Sequence, residues 1–279
     1  MNDIDPGTLR LLFFGGIFVT MAAIELLLPR RDLSVGRLSR WPTNWAIVIL
    51  DALLVRLLFP IGGVGLALWA SENGFGLLNL LDWQNWTGAL AGVAAFLVLD
   101  FAVWFQHLAA HKIPVLWRIH QVHHADGDVD VTTALRFHPI EILLSFLWKG
   151  LVILGLGAPV EAVLVFEIVL NGAAMFNHAN AALPQWLDRG LRLVIVTPDM
   201  HRVHHSAKPS ETDSNYGFNL AIWDRIFRTY TAQPEKGHLG MTIGLSEDMS
   251  RGARRLSWSL VLPFRPLATR RGPASDADQ

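Results

Sequence analysis

The chain contains no cysteine. That absence excludes thiolate metal sites, iron–sulfur clusters and a disulfide scaffold together. Charge is also scarce: only 17% of the 279 residues are Asp, Glu, Lys or Arg, and the formal net charge is −1. No basic surface for nucleic acid and no acidic tail can be assembled from that balance. Tyrosine is nearly missing, with two copies against eleven tryptophans. Apolar residues take the place of charge, at 52% of the chain with a mean hydropathy of +0.34. Such a composition leans towards the bilayer. Many tryptophans stand near the ends of apolar runs, as in an interfacial aromatic belt.

Five apolar runs are long enough to span, at about 11–28, 45–69, 87–105, 140–156 and 160–176. The segment before them, MNDIDPGTLR, is acidic and is followed by no small-residue cleavage site, so it is not read as a secretory signal. The second run contains Asp51, Arg56, Pro60 and the stretch GGVG, which predicts a kinked or broken helix. GLGAP joins the last two runs and is too short for anything but a tight hairpin. Further on, QWLDRGLRLVIV reads as an amphipathic helix on the membrane surface. TPDM reads as a helix start, with Thr197 as N-cap and Pro198 in the first turn.

Arginine distribution orients the spans. Arg30, Arg31, Arg37 and Arg40 mark the first linker as cytoplasmic, whereas the loop 71–86 has no Lys or Arg and belongs outside. Counting spans places 107–139, His178 and the stretch after it on the cytoplasmic side. No internal linker divides the chain, so a single domain over 1–279 is expected. The expected fold class is all-α: a polytopic membrane helical protein with a cytoplasmic-side, histidine-rich helical cap.

Eleven histidines are present, and ten of them lie between residues 107 and 205. They group as HLAAH (His107, His111), HQVHH (His120, His123, His124) and HRVHH (His201, His204, His205), with His138 and His178 standing singly. Positions i, i+3 and i+4 of a helix share a face, so each group presents imidazoles in one direction. At this histidine content a given HxxHH arises by chance at roughly 6 × 10⁻⁵ per start site, so two copies are not accidental. Neutral imidazole suits iron, zinc and copper, and eight to ten of them can surround two metal ions. His238, in the polar stretch PEKGHL, reads as a bystander. A histidine-rich metal transporter or sensor is the alternative class, but transport wants ligands within the spans near the midplane. A b-type haem needs paired histidines on facing spans, which HxxHH triples do not supply.

The order HxxxH, HxxHH, a lone His after a hairpin, then HxxHH resembles the fatty acid hydroxylase/sterol desaturase superfamily of integral-membrane non-haem diiron oxygenases. The intervening text LWRIHQVHHADGDVDVTTALRFHPIE, NHANAALP, TPDMHRVHHS and NYGFNLAIWDRIFRTY carries the likeness, over about residues 90–231. The resemblance implies metal ligation by His107, His111, His120, His123, His124, His178, His201, His204 and His205. It adds His138 in RFHPIE, a candidate replacement where 2-hydroxylases have a further histidine and this chain has Ala174. It also implies two non-haem iron ions, O₂ as co-substrate, and hydroxylation or desaturation of a lipid C–H bond. The lipid would come from the bilayer. With no cytochrome b5-like segment in the chain, the expected electron donor is a separate ferredoxin or cytochrome b5-like protein. Asp100 lies seven residues before His107 on the same helical face, a candidate acceptor for a ligand N–H. The alternative is that Asp100 pairs with Arg56. Trp223 and Phe227 read as packing residues.

Overall fold

The computed structural model describes residues 5–81 and 83–265, the side chains of 83–87 excepted. Helix α1 (Pro6–Leu27) starts where the Asp5 side chain accepts a hydrogen bond from the Thr8 N–H at 2.9 Å and Pro6 needs no N–H partner. The second apolar run is broken, into α2 (Arg37–Leu58) and α3 (Gly62–Glu72). Pro60 holds Phe59 out of the helical region, and Gly62 takes φ +63°, which a side chain would resist. A short α4 (Leu77–Leu80) follows within the predicted outer loop.

Helix α5 (Trp83–Lys112) is longer than its apolar core because HLAAH continues its register. The chain breaks at Ile113 and re-enters a helix at Pro114, giving α6 (Pro114–His124). The apolar pair becomes α7 (Pro139–Leu156) and α8 (Val160–His178). Gly157 closes α7 in the left-handed conformation and packs on Gly76, where a Cβ would lie 2.2 Å from the Gly157 nitrogen. The surface stretch forms only the seven-residue α9 (Gln185–Leu191). Its continuation is drawn off the helix by backbone pairing: Val196 N–H donates to Asn219 O, and Ala221 N–H to Val194 O. Then comes α10 (Pro198–His204), whose N-cap Thr197 accepts from the Met200 N–H.

Among the described residues, five helical segments are long and apolar enough to cross a bilayer: 6–27, 37–80, 88–112, 139–156 and 160–178. The inner faces of the four later segments interlock through Ala67, Leu99, Val103, Ile153, Val163 and Phe166. Their outer faces expose large apolar side chains such as Leu57 (76%) and Leu151 (66%). An apolar exterior around a packed interior is the pattern of an integral membrane protein, in which close packing holds helices that lipid also solvates well.

Below the spans a polar framework fixes the non-helical segments. Glu25 Oε1, at the end of α1, accepts from Val131 N–H at 2.6 Å and Asn180 N–H at 2.7 Å. Buried Arg40 pairs with Asp126 (2.8 Å) and Asp130 (2.6 Å) of the DGDVD loop. Arg136 donates to Val122 O, Asn44 Oδ1 and Ser259 Oγ. Arg37 and Arg40 therefore sit in the first turn of α2, not in a free linker.

Candidate metal centre

Nine histidines converge from four helices. His107 and His111 leave one face of α5; the turn at Ile113 brings α6 back across them with His120, His123 and His124. His178 is the last residue of α8, and α10 supplies His201 and His204, with His205 as its C-cap. They form two groups, His107, His111, His120, His124 and His204 in one and His123, His178, His201 and His205 in the other. Within each group the potential ligand nitrogens all lie within 4.8 Å of one another, and all nine residues are buried.

Helix periodicity explains how two triples make two groups. At about 100° per residue, i and i+4 project closely together while i+3 and i+4 diverge. On α6 the i, i+4 pair His120 and His124 enters the first group and His123 crosses to the second. On α10 the i, i+4 pair His201 and His205 enters the second group and His204 crosses to the first. The contacts are close: His107 Nε2 and His124 Nε2 each lie 3.2 Å from His120 Nε2, and His178 Nε2 lies 3.1 Å from His123 Nε2 and 3.0 Å from His201 Nε2.

Outer nitrogens are held from behind. His107 Nδ1 lies 2.7 Å from Tyr216 O, His178 Nδ1 2.7 Å from Ala174 O and His204 Nδ1 2.7 Å from Ser214 O. Each carbonyl can only accept, so Nδ1 carries the proton and Nε2 presents a lone pair to the cluster. Glu141 Oε1 approaches His120 Nδ1 at 2.6 Å, and Asp213 Oδ1 approaches His111 Nδ1 at 3.4 Å. Burial first, and the neighbouring imidazoles next, hold His123, His124, His201 and His205 well below the usual histidine value. His204 is lowered likewise by burial and by His107. These rings are neutral at neutral pH, the form that binds metal. His123 Nδ1, His201 Nδ1, His204 Nε2 and His205 Nε2 are buried without a hydrogen-bond partner. Buried nitrogens left in this state fit a site built for metal ions.

Several predicted site residues stand elsewhere. His138 belongs to neither group: it is the N-cap of α7, its Nδ1 accepting from Ile140 N–H at 3.1 Å and its Nε2 lying 3.2 Å from Leu260 O. It therefore stands outside both groups, and the carbonyl of Ala174 steadies His178. His238 also lies outside the groups, yet is buried with Nε2 3.4 Å from Asp199 Oδ2. Asp100 meets neither a histidine nor Arg56; its Oδ2 accepts from Trp223 Nε1 at 2.8 Å and Leu220 N–H at 3.3 Å. Phe227 packs as expected, stacked on Trp104 with centroids 4.5 Å apart. Sequence reasoning missed Glu141, Asp213 and the carbonyls of Ser214 and Tyr216. The last two flank Asn215, which takes φ +54°. Its side chain donates to Met200 O and Thr231 O, both at 2.8 Å. The signal was present in SNYG, since Asn tolerates the left-handed region and marks a special turn.

A cavity of about 360 Å³ opens on the first group through His107 and His120. It runs between α1, α2, α7 and α8, with an apolar wall that includes Phe14, Val48, Phe137, Phe146 and Leu170.

Residues 92–229, which contain all nine clustered histidines, match the fatty acid hydroxylase family. Alkylglycerol monooxygenase of Homo sapiens is 33% identical over 168 residues, covering 57% of this chain and 36% of that protein. Ornithine lipid hydroxylase OlsE of Rhizobium tropici is 30% identical over 169 residues, covering 61% and 50%. Fatty acid hydroxylase vlmA of a Lecanicillium species is 24% identical over 213 residues, covering 69% and 53%. The chain thus spans between about a third and a half of the length of these relatives. No solved structure matches it. The region that assembles the histidine cluster belongs to the fatty acid hydroxylase family.

Proposed function

We propose that the protein is a membrane-bound non-haem diiron monooxygenase that hydroxylates a lipid C–H bond with O₂ and externally supplied electrons. The observation that carries this reading is the pair of adjacent, all-histidine groups, the first of which opens on an apolar-walled cavity between membrane-spanning helices. His107, His111, His120, His124 and His204 would hold one iron, and His123, His178, His201 and His205 the other. The irons, when bound, supply O₂ activation and oxygen transfer to an unreactive C–H bond.

The chain's own part is positional. Neutral imidazoles leave the positive charge of the metals uncompensated, which suits an electrophilic oxidant. The apolar walls admit a lipid chain laterally and exclude bulk water. The cluster lies at the cytoplasmic end of the spans in this reading, within reach of a separate ferredoxin or cytochrome b5-like donor. Relatives named as lipid hydroxylases and monooxygenases favour hydroxylation over desaturation.

Purified protein is expected to carry two irons per chain. Cells expressing it are expected to accumulate hydroxylated lipid only in the presence of O₂. Metal uptake that changes with expression while lipid products stay constant would replace this reading with the transporter one.

A further inference from the structure

The cavity beside the first histidine group has an unusual polar inventory for a membrane interior. Asp51 Oδ1, Gln106 Oε1 and Glu141 Oε2 are all buried, all belong to cavity-lining residues, and none meets a hydrogen-bond donor. Asp51 is 5% exposed, and among the described residues its Oδ1 has no hydrogen-bond partner. It lines the same cavity as Glu141 and Gln106. Glu141 spends its other oxygen on His120, and Gln106 precedes His107 on α5. The three acceptors therefore line one cavity, with Glu141 and Gln106 at its histidine end.

The cations that line the same cavity do not answer them. Arg10 pairs with Glu167 at 2.9 Å. Lys149 stands eight residues beyond Glu141 on α7, about 12 Å further along the helix. Buried acceptors without donors carry a desolvation cost that a ligand can relieve. Ionisable groups within membrane spans point to function more often than to packing.

We infer that Asp51, with Gln106 and Glu141 beside it, binds a hydrogen-bond-donating group of the lipid substrate close to the carbon presented to the histidine cluster. The substrate class is an amphiphile whose hydroxyl or ammonium group neighbours the oxidised C–H bond, rather than one oxidised far along a plain hydrocarbon chain. This inference rests on the oxygenase reading for the word substrate; Asp51 itself is a specificity-determining residue and not a metal ligand.

The test measures equilibrium binding to iron-loaded protein in detergent micelles. Three probes are compared: an alkylglycerol, which offers hydroxyls; an ornithine lipid, which offers an ammonium; and the same alkylglycerol with both hydroxyls methylated. Wild type is expected to bind one of the two donor lipids at least about tenfold more tightly than the methylated one, and which one it prefers identifies the donor. Asp51→Leu is expected to lose that preference with iron per chain unchanged. Its lipid-free melting temperature should not fall, because no hydrogen bond to Asp51 Oδ1 is removed. A residue with a merely structural role would lower the melting temperature instead. Asp51→Asn, which keeps the shape and removes the charge, should fall between the two. Equal binding of all three probes, binding of none, or a preference that survives in Asp51→Leu overturns the inference. Donor-selective binding without O₂-dependent lipid oxidation would instead sink the oxygenase reading and leave the donor site standing.

Discussion

Glu141 Oε1 lies 2.6 Å from His120 Nδ1, so a carboxylate grips the back of an imidazole whose Nε2 faces His107 and His124. Partners of this kind fix ring orientation and raise ligand basicity, and losing one typically lowers metal affinity about 10- to 100-fold. Glu141→Ala is expected to show that loss when iron per chain is measured against graded chelator, with Glu141→Gln recovering part of it. Wild-type retention in the Ala variant would make the contact incidental.

Asn215 sets two histidines at once, because its left-handed backbone aims Ser214 O at His204 and Tyr216 O at His107. Asn215→Ala meets roughly 1–2 kcal/mol of left-handed strain and also abandons Met200 O and Thr231 O. Weaker iron retention and a lower melting temperature are expected together. Asn215→Gly relieves the strain and should recover stability more than iron.

The two groups and the outlying histidines should separate cleanly in a substitution series. His124→Ala and His205→Ala remove one member from each group and are expected to insert and purify normally while losing iron and lipid oxidation. His138→Ala and His238→Ala should keep iron. Loss of the α7 cap in His138→Ala is expected to cost about 1 kcal/mol of stability. Full iron and wild-type lipid products in either of the first pair would remove that histidine from the site.

Acid should destabilise the metal-free protein. Burial holds His123, His124, His201, His204 and His205 well below the usual value, and burial, partly opposed by Asp199, takes His238 down to about 4. Above about pH 6.5 these rings are neutral whether folded or unfolded, and their contribution is complete. Below it the unfolded chain binds protons that the folded chain refuses, so stability falls towards low pH. Melting temperature is expected to drop continuously from about pH 7.5 to about pH 5, and His238→Asn should flatten part of the slope. A flat profile would mean that the folded and unfolded chains take up protons on these rings alike.

Orientation is open to reporter fusions. Arg30, Arg31 and Arg37 remain the basic marks between α1 and the start of α2, where Arg30 is committed to Asp199 and Arg40 to Asp126 and Asp130. A fusion after Leu80 should report the outside and one after Gln279 the cytoplasm. The reverse would place the histidine cluster away from cytoplasmic reductants.

Periodicity made the helices and the converging triples readable, because both follow from the angle between successive side chains. Height along a helix was harder to read. Asp100 shares a face with His107 but stands seven residues away, about 10 Å of rise, which hands its carboxylate to Trp223 instead. The capping role of His138 follows from the residue after it: Pro139 opens α7, so the preceding ring turns back on the Ile140 N–H. The surface helix at 185–196 stopped early because a bridge to 219–221 claimed its backbone, and no local pattern encodes that partner.

The crossing of His123 and His204 between the groups has a mechanical consequence. Each triple is a single turn that serves both histidine groups, so neither α6 nor α10 can be retuned for one without disturbing the other. A single residue inserted between His201 and His204 would swing the later pair by about 100° and disable both groups together. Such a turn tolerates substitution around its histidines but no change in their count or spacing.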